Sequence, residues 1–299
     1  MTMASATRPL RSTSSAMRRF LRAPSALAGL GLLALLVVGA LFAAQIAPQN
    51  PFDLAAIDVL DARLPPGSAA TSGDLFYILG TDGQGRDLFS AILYGLRTSL
   101  TVGVGSAVLA GIAGTLLGLV AAWSGGFIDA LVMRIVDLLM SLPSILIALL
   151  MLALLGKGIG NVILTLVLLE WAYYARTARG QALVERKRDY FEAARGLGLP
   201  TSRILLGHVL PNCLPPLLVI AALQVARAIT LEATLSFLGL GAPVTQPSLG
   251  LLIANGFQFM LSGEYWISFF PGLTLLLAIV AINLVGDRLR EVLDPRALK

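Results

Sequence analysis

Apolar residues arrive in long runs along this chain, and polar residues are gathered between them. The runs cover 25–46, 99–123, 127–155, 161–174, 213–240 and 266–285, the fourth being extended by the glycine-rich stretch 158–160. A spanning helix needs about 20 predominantly apolar residues. The pattern therefore predicts an all-α integral membrane protein with six transmembrane helices. It divides the chain into a basic tail (1–24), a first transmembrane helix (25–47), a loop (48–97), a five-helix core (98–290) with a polar loop at about 176–212, and a closing tail (291–299).

Composition agrees with that division. The chain of 299 residues is 57% hydrophobic and 13% charged, with mean hydropathy +0.82, whereas soluble chains carry about 25% charged residues. The net charge of +5 is explained by where the cations sit, without invoking nucleic acid. Seventeen of the 22 Lys and Arg residues fall in 1–24, the entrance of the third run, 175–212 and 286–299, while loops 48–95, 156–160 and 241–265 hold Arg63, Arg86 and Lys157. Basic residues collect on the cytoplasmic side, so both ends are expected inside and loop 48–95, with its six acids, outside. The first run outlasts the roughly 7–15 apolar residues of a signal peptide and is taken as a retained anchor. Cys213 and His208 are the single residues of their types, which excludes an intrachain disulfide and a cysteine-based or multi-histidine metal site.

The stretch DYFEAARGLGLPTSRILLGHVLPN, 189–212, breaks the apolar pattern. Residues 175–187 extend the fourth helix, and 190–197 continue helically. Gly198 then stands where a helix stops in the left-handed conformation. Pro200 prevents continuation, Thr201 or Ser202 caps a new helix over 203–210, and Pro211 closes it before Pro215 and Pro216 enter the fifth run. Ala193 and Ala194 have no side chain beyond Cβ, so a partner's surface could approach the backbone there. An amphipathic helix lying on lipid headgroups is the rival reading.

Glu192-Ala193-Ala194, Gly198 and His208-Val209-Leu210-Pro211-Asn212 resemble the EAA loop of ABC-importer permeases, in the form found in the peptide-importer branch. The family pattern has Ile where this chain has His208. Leu79–Asp87 (LGTDGQGRD) and Glu232–Gly241 (EATLSFLGLG) are similar to two further segments of the C-type permease of dipeptide, oligopeptide and nickel importers. The resemblance covers about residues 25–295. It implies a bacterial inner-membrane subunit, paired with a second permease, two ATPase subunits and an external substrate-binding protein. It also implies a coupling elbow whose residues Glu192, Ala193, Ala194, Gly198, His208, Leu210 and Pro211 engage the ATPase. No phosphate-binding G-x4-G-K-[ST] occurs in the chain, so ATP is expected on partner chains and no cofactor here. Di- or oligopeptides are the expected cargo, with nickel as the alternative. An ion-driven carrier would need intramembrane acids and often an internal repeat, and a membrane protease would need a nucleophile with a base or several metal ligands.

Ionisable residues inside apolar runs are functional candidates. Asp137 stands three residues after Arg134, as in a local pair. Arg227 and Glu232 are five apart and do not share a face, whereas Gln224 and Arg227 do; this face either lines a pathway or packs against a neighbour. Glu170, beside Trp171, Tyr173 and Tyr174, is expected near water in an interfacial belt. His208 is expected to touch backbone or partner, and Cys213 to be a small buried side chain. Gly83-Gln84-Gly85 reads as a turn, and loop 48–95 as a connector or a surface for the binding protein. Gly103, Gly105, Gly111, Gly114 and Gly118 predict close helix packing by the second run.

Overall fold

The computed structural model describes residues 23–53, 57–243 and 246–293. The two basic tails lie, apart from Ala23, Pro24 and Glu291–Leu293, outside the described residues. The chain opens with α1 (Pro24–Leu41) and the short α2 (Ala43–Ile46). A folded loop follows, with a tight helical turn (Val59–Asp61) and a hairpin of β1 (Ser68–Ala69) and β2 (Phe76–Tyr77). Next come α3 (Leu88–Ser124), α4 (Gly126–Ser141), α5 (Ser144–Leu155), α6 (Ile159–Glu185), α7 (Asp189–Gly196) and α8 (Thr201–Ile204). A wide π turn (Leu205–Val209) leads into α9 (Leu210–Phe237), then α10 (Leu249–Phe257) and α11 (Trp266–Leu293).

Among the described residues, four helical stretches are long and apolar enough to cross a membrane: Pro24–Leu41, Leu88–Ser124, Thr201–Phe237 and Trp266–Leu293. A fifth forms if α4 and α5 are taken together, but they meet at an angle of 97°. The third apolar run is thus broken where a straight helix was expected. Pro143 offers no N–H and holds Leu142 extended (φ −97°, ψ 146°), the conformation favoured before proline. α6 has the length, 27 residues, but its second half carries Arg176, Arg179 and Glu185.

Several boundaries move. The second run begins helically at Leu88, not in the late nineties, because Asp87 caps it by accepting the Ser90 N–H at 2.8 Å. At 37 residues, α3 is about 55 Å long, well beyond a bilayer's hydrocarbon core. The 48–97 loop is folded and not wholly without strand: β1 pairs antiparallel with β2, Ser68 facing Tyr77 and Ala69 facing Phe76. Asp61 pins that hairpin, accepting from the Tyr77 hydroxyl at 2.8 Å and from the Thr71 N–H at 2.8 Å. Gly83-Gln84-Gly85 is a turn, as expected. It is tied by Asp82, which accepts from the Gln84 N–H at 2.8 Å and pairs with the buried Arg86 at 2.7 Å. The later loop holds α10, whose Leu249, Leu251 and Leu252 are buried.

α3 is the central helix, packed on α6 along the glycine stripe. A Cβ added at Gly114 would stand 2.2 Å from the Trp171 carbonyl oxygen, and one at Gly118 would stand 2.4 Å from that of Ala175. No side chain fits there, which is what lets the two backbones touch. α9 lies against α3 near Ile229, and α11 against α1.

Candidate functional site

The 189–212 stretch forms an elbow between α6 and α9. α7 ends in a Schellman motif. The Leu199 N–H donates to the Ala194 carbonyl at 3.3 Å and the Gly198 N–H to that of Arg195 at 2.9 Å, with Gly198 at φ +69°. Both bonds satisfy helix-end carbonyls that would otherwise be orphaned. Leu199 then packs on the cluster that contains Ala194. The left-handed stop expected at Gly198 is therefore present.

Two details of the expected elbow are corrected. α8 starts at Thr201 with Pro200 as its cap residue and no side-chain cap from Thr201 or Ser202. Nor does Pro211 close a helix: Thr201–Phe237 is one helical stretch. The reason is the π turn just before it, where the Leu210 N–H reaches back to Leu205. Widening the helix by one residue there avoids the clash a proline ring makes with the preceding turn. His208 sits in that turn, its Nδ1 3.3 Å from the Arg203 carbonyl, and Leu210 packs on the cluster below.

The elbow is fastened to the helices beneath it. Phe191 and Ala194 are buried with Ala178, Ala182, Ile204, Val209 and Cys213. Tyr190 donates to Glu185 at 2.8 Å, and Asn212 to the Tyr190 hydroxyl at 3.4 Å. Arg186 bonds the Ala122 carbonyl and lies over the Trp123 ring, 5.9 Å from its centre. This fixes which face of α7 is free. Glu192, Ala193, Arg195 and Gly196 are exposed, and so is Leu197, at 80%. Ala194 points the other way and is 5% exposed. The expectation that both alanines meet a partner is thus corrected: Ala193 is free to do so, while Ala194 seats α7 on its own chain. Leu197, which the sequence reading passed over, belongs to the free face.

The interior candidates do not converge on one point. Asp137 pairs with Arg176 across to α6, not with Arg134. Arg227 stacks on Tyr173, 4.5 Å from the ring centre, and reaches Ser144 Oγ at 3.3 Å. Gln224 is buried, its Nε2 lacking a partner among the described residues. Glu170 is 1% exposed and its carboxylate likewise lacks a hydrogen-bond partner there, so it is interior and not near water; Tyr174 beside it is buried too, which takes it out of the expected belt.

Glu232 has a different setting, a knot of hydroxyls. Ser99 donates to it from α3 at 2.8 Å and Ser236 from its own helix at 2.7 Å, and Ser248, the cap of α10, lies beside it. Ser99 Oγ also accepts from the Leu249 N–H at 3.4 Å. One carboxylate thereby joins α3, α9 and α10. Just beyond, α9 ends in a second Schellman motif, with Gly239 at φ +79° and the Leu240 N–H donating to the Leu235 carbonyl at 3.0 Å.

Comparison with known proteins places these features. Residues 114–299 match the family described as binding-protein-dependent transport system inner membrane component, and residues 13–66 match the N-terminal TM domain of oligopeptide transport permease C. The di/tripeptide transport system permease protein DppC of Pseudomonas aeruginosa is 40% identical, over 91% of this chain and 88% of that protein. The probable D,D-dipeptide transport system permease protein DdpC of Escherichia coli is 40% identical, over 89% and 86%. Among solved structures, inward-facing MetNI methionine ABC transporter aligns with TM-score 0.55 at 22% identity, over 68% of this chain and 96% of that chain. At that identity the likeness bears on the fold alone.

Proposed function

The chain belongs to the binding-protein-dependent transport system inner membrane component family, and from this premise we propose that it is one of two permease subunits of a bacterial ABC importer for di- or oligopeptides. The observation that carries the coupling part is the elbow: a glycine-stopped helix that presents Glu192, Ala193 and Leu197 outward while Phe191 and Ala194 anchor it. The cargo is inferred from relatives named for di- and tripeptide transport.

Six spans are proposed: α1, α3, α4 with α5 as one broken span, α6, α9 and α11, with both termini cytoplasmic. The basic bias of the segments flanking these helices supports that orientation. The elbow then faces the cytoplasm, where an ATPase subunit receives the α7 face, with Glu192, Ala193, Gly198, His208, Leu210 and Pro211 forming or shaping the contact. ATP is bound and hydrolysed on two such partner chains, and this chain is a transport component without catalysis of its own. The mechanical route is short. α6 runs into the elbow from one side, and the helical stretch beginning at Thr201 leaves it on the other. Closure of the ATPases would push α7, and α6 and α9 would carry that displacement towards the Glu232 knot. The folded loop 57–87 and the α10 region are proposed to lie outside and to receive the substrate-binding protein.

Reconstitution in proteoliposomes with the second permease, the ATPases and a peptide-loaded binding protein tests this. ATP-dependent uptake of a labelled dipeptide is expected. Uptake driven by an ion gradient with no ATPase present would overturn it in favour of a secondary carrier. Labelling at residues 5 and 297 from the outside of intact cells would overturn the orientation.

A further inference from the structure

α3 is apolar over most of its length, yet Tyr94, Arg97, Thr98 and Thr101 follow the i, i+3, i+4, i+7 spacing of one helix face. With Phe52, Ile159 and Gln246 they line a cavity of about 550 Å³, within the range of small-ligand sites. Among the described residues, no acidic side chain is on its wall. Arg97 is exposed there, and among the described residues its guanidinium has no hydrogen bond or ion pair. Three other arginines of the helical core are occupied: Arg176 by Asp137, Arg179 by Asp129 and Arg227 by Tyr173. The hydroxyls of Thr98 and Thr101 donate back to the Tyr94 and Arg97 carbonyls at 3.2 and 2.7 Å, so their oxygens remain acceptors. Phe52 meets Tyr94 edge-on, with ring centres 5.1 Å apart, and gives the wall an aromatic side.

A cation without a partner within an apolar helix is costly unless it meets water or an anion. A guanidinium fork matches a carboxylate through two parallel hydrogen bonds. We propose that Arg97 receives the C-terminal carboxylate of the transported peptide at the outer mouth of the pathway, with the threonine oxygens accepting from peptide N–H groups. This rests on the peptide-importer reading and adds a contact to it. Gripping a chain end, not a side chain, suits cargo of varied sequence.

The test uses the whole complex in proteoliposomes. Losing a hydrogen bond to a charged group costs about tenfold or more. Uptake from saturating loaded binding protein should fall by about that factor in Arg97→Gln, with assembly and stimulated ATP hydrolysis unchanged. In Arg97→Cys, a cationic thiol reagent should restore uptake and an anionic one should not. Unchanged uptake, equal effects of the two reagents, or failure to assemble or to be stimulated would overturn the proposal; the last two outcomes would mean an ion pair between subunits or with the binding protein. A wild-type complex that imports no dipeptide would instead sink the parent reading.

Discussion

The chain ends two helices in the same way and surrounds them differently. α7 stops at Gly198 and α9 at Gly239, each with a left-handed glycine and the paired bonds of a Schellman motif. At both stops the glycine itself has open space, a Cβ at Gly198 or at Gly239 meeting nothing within 4 Å, and the difference lies in the residues that follow. Two residues past Gly239, a Cβ at Gly241 would stand 1.9 Å from Ser236 Oγ, whose hydroxyl is bound to Glu232. One end projects a free surface on a firm base, as the proposed lever requires. The other leads within two residues into a tightly packed turn beside the Glu232 knot. Identical backbone chemistry thus sits beneath a free surface at one place and beside a packed knot at the other.

Substitutions can break that contrast. The largest effect is expected from Glu232→Ala, which leaves the Ser99 and Ser236 hydroxyls buried without their acceptor. Each such loss costs about 1–3 kcal/mol, so folded yield in detergent should drop sharply, with Glu232→Gln milder. Gly241→Ala comes next: overpacking costs about 1–3 kcal/mol, and thermal unfolding of the purified permease should shift down. Gly198→Ala meets no clash and carries only the left-handed strain of about 1–2 kcal/mol. Folded yield should stay near wild type while peptide uptake falls, because α7 is re-aimed. A Gly198→Ala protein less stable than Gly241→Ala would remove the contrast.

The smallest effect concerns the hairpin loop. Burial pushes the Asp61 carboxyl upward, but hydrogen bonds from Thr71 and Tyr77 more than offset this and hold it below the usual value. A carboxylate depressed in the fold contributes stability above its unfolded value of about 4 and loses it as pH falls through the folded one. Protease resistance of the loop should hold from neutral pH down to about 4 and then decline. Asp61→Asn should abolish that dependence.

Local features of this arrangement were legible in the sequence, and those requiring a distant partner were not. Gly198 was readable because a left-handed stop admits so few residue types. The glycine stripe of α3 was readable at Gly103, Gly111, Gly114 and Gly118, which meet neighbouring helices, but not at Gly105, where an added Cβ would meet nothing within 4 Å. The orientation of Ala194 was hidden, since two adjacent alanines look alike until Phe191 fixes the buried face. Pro211 misled because a π turn leaves no composition signal. Asp137 found Arg176 on another helix, and Glu232 found Ser99 and Ser248, contacts no spacing rule reaches. The break at Pro143 carried a signal in its proline, as did the polar stripe through Arg97.

The central claim is that the outward face of α7 is where ATPase force enters. Ala193 and Ala194 are neighbours with opposite environments, so the pair tests it directly. Pull-down of the ATPase subunits, with labelled dipeptide uptake alongside, should be lost in Ala193→Arg while the permease stays folded and membrane-inserted, since an unpaired charge would be forced into the contact. Ala194→Arg should instead lower folded yield. Full association and full uptake in Ala193→Arg would contradict the account and leave α7 as a helix on the membrane surface.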